Sequence, residues 1–144
     1  MAKSNTHSSA LQEEVFLLLQ KQAIIAVLPS DLQDGFYSRY FTVPKKDGGL
    51  CPIFDLRHLS KYIQRFRMVT LDPVIPLLSQ GDWFVMISLQ DAYFHIAIHP
   101  RHHKYLRFHF DGTTYQFCTF LFGLSTAPST FAKCLAPVAA HLSL

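Results

Sequence analysis

The 144 residues carry 13 lysines and arginines against 10 aspartates and glutamates, a net charge of +3, with 49% hydrophobic, 14% aromatic and 16% charged residues. This composition is too apolar for a disordered chain and sufficient for one domain with its own core. The small basic excess falls short of a protein that holds duplexes by charge alone. No apolar run approaches the ~20 residues that span a bilayer, and the start M-A-K-S-N-T-H-S-S-A has no apolar signal core. A soluble, intracellular chain without membrane contact is therefore expected. Cys51, Cys118 and Cys134 are odd in number and form no C-x-x-C pair, which argues against a disulfide framework and a zinc knuckle. Thirteen phenylalanines are heavy for a free-standing domain, so part of the apolar surface is expected to meet further segments of a longer chain.

Residues 1–10 are polar and small and read as a disordered tail, leaving 11–144 as the folded part. Glu13 and Glu14 open an amphipathic helix with Val15, Leu18, Leu19 and Ala23 at helical spacing, stopped at Leu28-Pro29. F-Y-S-R-Y-F-T-V, then P-K-K-D-G-G, then L-C-P-I-F-D-L reads as a β-hairpin with two lysines at its tip. R-H-L-S-K-Y-I-Q-R-F-R follows as a connector in which Arg57, Lys61, Arg65 and Arg67 interleave with Tyr62 and Phe66. Asp72-Pro73 is placed to cap a short helix through Leu78, and W-F-V-M-I-S from Trp83 reads as a buried strand. H-I-A-I-H-P, K-Y-L-R-F-H-F and Y-Q-F-C-T-F read as short antiparallel strands, the last two joined by a turn at Asp111-Gly112. A final helix is expected to open at Ser129 or Thr130. Helices and antiparallel hairpins in this order describe an α+β chain.

Both glutamates lie in the first helix, so carboxylate chemistry would have to come from the aspartates. Asp31 and Asp34 fall in a loop, Asp47 and Asp111 in glycine turns, and Asp55 follows a strand with Arg57 as a ready partner. Asp91 sits where the buried strand breaks into a polar turn; it reads equally as a site residue or as the cap of the turn A-Y-F-H. His95, His99, His102 and His103 cluster, but Pro100 and the alternating pattern leave them without a completed ligand set, and no metal site is expected from them. Lys45 and Lys46, flanked by Gly48 and Gly49, suit either a phosphate clamp or a solubilising hairpin tip.

The ordered set K-K-D-G-G, F-D-L-R-H-L-S-K, S-L-Q-D-A-Y-F-H-I and Y-Q-F-C-T-F-L-F-G-L-S-T-A-P resembles the reverse transcriptases of retroelements, in particular the tyrosine-recombinase retrotransposon type. Matching positions run over roughly residues 12 to 142. The resemblance implies an incomplete right-hand polymerase: fingers and the first part of the palm, ending before the family's Tyr-x-Asp-Asp hairpin. It implies RNA or DNA template-primer and a deoxynucleoside triphosphate as partners, Mg²⁺ as the family's metal, and further palm, thumb and ribonuclease H segments of a longer polyprotein.

Position by position, the resemblance implies that Lys46 (or Lys45) and Arg57 face phosphate or template, and that the backbone at Asp91 and Ala92 cradles the triphosphate. Tyr93 would lie beneath the sugar, and Phe122 and Gly123 would border the nucleotide pocket. Three departures stand against catalysis. Ser88 occupies the position of the metal-ligand aspartate, and its neutral hydroxyl is a poor substitute for a charged oxygen on Mg²⁺. The Tyr-x-Asp-Asp segment is absent from these residues, and Cys51 stands where the pattern has an arginine that reaches the triphosphate; Leu121, where the pattern has a proline, bears only on the turn. The expectation is therefore a polymerase fragment inactive by itself; the alternatives are a retained nucleic-acid-binding module, with Lys61, Arg65 and Arg67 as further contacts, or an element-derived remnant prone to aggregate.

Overall fold

The computed structural model describes residues 2–64, 66–67, 72–73, 75–83 and 88–142. Helix α1 covers Ala2–Gln20, so it begins inside the segment read as a polar tail rather than at Glu13. No glycine or proline interrupts those residues, and His7 Nδ1 hydrogen-bonds Thr42 Oγ1 on the hairpin opposite. Among the described side chains of α1, Val15 and Leu18, three apart and so on one face, are buried. Gln22 adopts a left-handed conformation (φ 55°) and Ala23 N donates to Leu18 O at 2.9 Å, which closes the helix.

Two antiparallel sheets follow. Strand β1 (Ile24–Ala26) lies at the edge of a three-stranded sheet of order β1-β5-β4, where β4 is Arg107–Phe110 and β5 is Thr113–Phe117. Strands β2 (Arg39–Pro44) and β3 (Leu50–Asp55) pair as the expected hairpin, in register from Arg39↔Asp55 to Pro44↔Leu50. The β4–β5 turn pairs Phe110 with Thr113 across Asp111 (φ 47°) and Gly112 (φ 72°). Two successive positive φ angles define a primed hairpin turn, the reason Asp-Gly marked this position in the sequence.

The core forms where the two sheets meet. Phe108 of β4 is fully buried, with the rings of Tyr40 and Phe54 from the hairpin at 4.8 and 5.6 Å and those of Tyr115 and Phe117 from its own sheet at 5.6 and 5.7 Å. Tyr40 brings its hydroxyl into this core without a hydrogen-bond partner among the described residues, and burial, with Glu14 adding to it, pushes the phenol's pKa up. Ile24, Leu56, Leu106 and Leu121 continue the same cluster.

Four further elements differ from the sequence expectation, the first being β1, whose Ile24–Ala26 pair with β5 where the first helix was expected to continue to Leu28. H-I-A-I-H-P supplies only an isolated bridge, Ala97↔Thr119, and then turns at Pro100 into the short helix α2 (Pro100–His103). Proline fits a first helical position, and His99 Nδ1 caps it by accepting from Arg101 N at 3.3 Å. Within 72–78 the described structure is a single 3-10 turn, Ile75–Leu77; Pro76 lacks the N–H that would close the first α-helical turn on Asp72. Helix α3 (Ala127–Leu142) opens at Ala127, not at Ser129 or Thr130; Ser129 Oγ instead donates back to Thr126 O at 2.9 Å. Phe84–Ile87, the heart of the expected buried strand, lie outside the described residues, as does Arg65. The result is a small α+β fold of antiparallel sheets and short helices, in which no described helix is long and apolar enough to cross a membrane.

Candidate nucleic-acid interface

The turn after Ser88 is where carboxylate chemistry was anticipated. Asp91 occupies the position before a 3-10 turn, Ala92–His95, in a left-handed conformation (φ 52°), yet its side chain makes no capping hydrogen bond. Its carboxylate instead pairs with Lys21 Nζ at 2.8 Å, and the same ammonium lies 5.7 Å from the centre of the Phe94 ring. Asp91 thus ties the end of α1 to the turn. Ser88 is exposed, and among the described residues no three His, Cys, Asp or Glu side chains converge. The histidines are engaged separately: His95 Nε2 with Gln90 O at 3.3 Å, and His103 Nε2 with Ile98 O at 2.7 Å.

Tyr93 projects from that turn into an aromatic corner, edge-on to Phe122 at 4.8 Å and to Phe131 of α3 at 5.7 Å. Phe122 remains exposed. Gly123 follows with φ 91°, and a side chain there would approach Leu56. Gly123 and Arg57 line one open cleft of about 520 Å³ with Phe41 and Ile53. The structure therefore brings Tyr93 to Phe122 and Gly123 to Arg57. Lys45 and Lys46 stand exposed at the tip of the β2–β3 hairpin, where Lys45 N donates to Gly49 O at 2.7 Å and Gly49 N to Asp47 Oδ1 at 3.1 Å. Cys51, half-buried in β3, pairs with Val43.

Arg57 is the best-defined cation. Asp55 ends β3 with its side chain 8% exposed and accepts from Arg57 Nε at 2.8 Å, Nη2 at 2.7 Å and backbone N at 3.2 Å. These bonds hold the Asp55 carboxyl well below the usual carboxylate range and raise Arg57 in return. The Arg57 side chain itself is 84% exposed, so the half-buried Asp55 aims an exposed fork whose Nη1 has no partner among the described residues.

Around it opens a cleft of about 350 Å³ whose walls include Arg39, His58, Lys61, Tyr37 and Tyr62. Tyr62 is 82% exposed and meets Phe36 edge-on at 6.5 Å; Tyr37 stacks on His109 at 4.7 Å and donates its hydroxyl to Leu32 O at 2.9 Å. Cations with exposed rings are the elements of a single-strand surface: charge follows the phosphates and rings stack on bases. The sequence pointed to Arg57 and Lys61 and missed Arg39, Tyr37 and His58. The signal for the first two was the alternation in Y-S-R-Y-F, which puts Tyr37 and Arg39 on one face, with Arg39 opposite Asp55 in the hairpin register. Arg67 is exposed but lies outside this cleft.

No family model matches the chain. Solved structures share its fold. The foamy viral protease–reverse transcriptase in complex with double-stranded DNA superposes with a TM-score of 0.70 at 16% identity, over 92% of this chain and 27% of that one. The native prototype foamy virus protease–reverse transcriptase gives 0.75 at 15% identity, over 92% of this chain and 18% of that one. The dRH form of the foamy viral enzyme with double-stranded DNA gives 0.71 at 15% identity, over 94% and 23%. The chain spans about a quarter or less of the length of these proteins, and its likeness to a viral protease–reverse transcriptase is partial, of low identity, and a likeness of fold.

Proposed function

We propose that these residues are the fingers and first palm segment of a retroelement reverse transcriptase of the tyrosine-recombinase type, binding template through the Arg39–Arg57–Lys61 cleft and not polymerising by themselves. The observation that carries the reading is the agreement of two likenesses. The motif order in the sequence and the superposition over 92–94% of the chain point to the same enzyme class. Exposed Leu77, Trp83 and Phe122 fit surfaces that further polymerase segments would cover.

The residues present do not fit the two-metal chemistry of such an enzyme. By the resemblance Ser88 stands at the ligand position; Asp91 is paired with Lys21 at 2.8 Å, and among the described residues no three His, Cys, Asp or Glu side chains are grouped. Mg²⁺ prefers charged oxygens, so no catalytic step is assigned to this stretch. Primer extension by the 144-residue chain on an RNA template with Mg²⁺ should give no incorporation, and Ser88→Asp alone should not restore it. Robust incorporation by either protein would overturn the claim of inactivity.

The basic cleft favours a second reading, a binding module retained without catalysis. Under that reading the chain holds single strands in a salt-sensitive way regardless of whether further polymerase segments are supplied; under the first, primer extension appears once they are supplied together with Ser88→Asp.

A further inference from the structure

We propose that the cavity of about 580 Å³ between α2 and the loop at Asp31 is an oxyanion site, in which Arg107, Lys104 and Arg101 take a phosphate group. Arg107 begins β4 and is 5% exposed. A guanidinium stays charged in a protein, and burying a charge is costly unless it is paired. Here the pairing is with neutral groups only. Nη1 donates to the carbonyls of Asp31, at 2.7 Å, and Asp34, and Nε donates to Gln116 Oε1 at 3.1 Å across the β4–β5 ladder. No carboxylate forms an ion pair with Arg107 among the described residues, and Nη2 has no acceptor among them.

The surrounding chain fits closely to this side chain. A Cβ at Gly35 would lie 2.9 Å from both Arg107 Cδ and Nη1 and 3.0 Å from Lys104 O, so a side chain there would displace the guanidinium or the loop. A guanidinium held this way loses little freedom when it binds an oxyanion. Half-buried Lys104 and exposed Arg101 line the same cavity, and the Lys104 ammonium sits 5.6 Å from the Tyr105 ring centre. The one carboxylate lining it is Asp31, which accepts from Ser30 Oγ at 3.2 Å. Three permanent cations against one anion leave the cavity electropositive, with a fixed donor buried at its wall. The site stands apart from the nucleic-acid cleft: their linings share no residue.

Calorimetric titration of the full chain with pyrophosphate at fixed ionic strength tests this. Saturable one-to-one binding is expected, weakened roughly tenfold by Lys104→Gln or Arg101→Gln, as for loss of a charge-assisted contact. Lys133→Gln on α3, the same change of charge elsewhere, should leave it unaltered. Absence of saturable binding, indifference to both cavity variants, or an equal loss in Lys133→Gln or in Arg57→Gln/Lys61→Gln would overturn the assignment. Displacement of bound pyrophosphate by a single-stranded oligonucleotide would identify the anion as a backbone phosphate, and lack of displacement as a free one; either supports the site.

Discussion

Neutralising two cations of the Arg57 cleft should flatten the salt dependence of nucleic-acid binding. The cleft gathers three permanent cations, Arg39, Arg57 and Lys61, around exposed Tyr62. Arg57 is charge-paired with Asp55, which lines the same cleft, so the net excess is two positive charges. Each phosphate neutralised on a single strand contributes about −0.7 to the slope of log K against log salt, so a net of two gives about −1.4. Between about 50 and 200 mM salt, affinity should then fall about 7-fold for the unaltered chain and hardly at all for Arg57→Gln/Lys61→Gln, where Arg39 is offset by the Asp55 carboxylate. Fluorescence anisotropy of a short labelled single strand across a salt series measures both slopes. A double variant with the slope of the parent would show that the phosphates run elsewhere, and a parent slope near zero would remove the cleft from nucleic-acid binding altogether.

Phe108→Ala removes the ring that joins the two sheets and should cost about 3–5 kcal/mol, a large share of the stability of a domain this size, while Phe108→Leu should cost markedly less. Urea unfolding followed by circular dichroism reads both, and a loss below about 1.5 kcal/mol for the alanine variant would contradict the central place given to Phe108. The Asp55–Arg57 pair predicts a pH dependence. Its folded carboxyl lies below the ordinary value of 3.8, so its contribution is present above 3.8 and disappears as pH falls through the lower folded value. Asp55→Asn should therefore be less stable than the parent at neutral pH, with the gap closing on acidification below 3.8, and a gap that widens in acid would reverse the assigned sign.

The parts of the fold legible in the sequence were those specified by local rules. Asp111-Gly112 needs two positive φ angles and obtained them, and K-K-D-G-G between two aromatic-rich runs became the β2–β3 hairpin. The parts that misled were those where neighbours decide. H-I-A-I-H-P alternates like a strand, but only Ala97 finds a bridging partner before Pro100 starts α2, and the polar residues before Glu13 join α1 with His7 held against Thr42. Period and propensity describe an isolated segment; they carry no information on what lies across from it.

The same distinction governs the candidate site. Asp55 and Arg57 are two residues apart, and their pairing was legible because a strand end holds such neighbours together. Asp91 drew attention as a lone carboxylate at a strand end, but its partner, Lys21, is seventy residues away, and no local pattern could name it. That ion pair alters the chemical meaning of Asp91. A carboxylate paired at 2.8 Å with the residue that follows α1 ties the end of that helix to the turn that carries Ala92 and Tyr93, whose ring meets Phe122. In the reading proposed here Ser88 is then the position that decides catalysis, while Asp91 decides geometry. Lys21→Gln should accordingly loosen the Ala92–His95 turn without abolishing single-strand binding in the Arg57 cleft, because no residue of the turn lines that cleft.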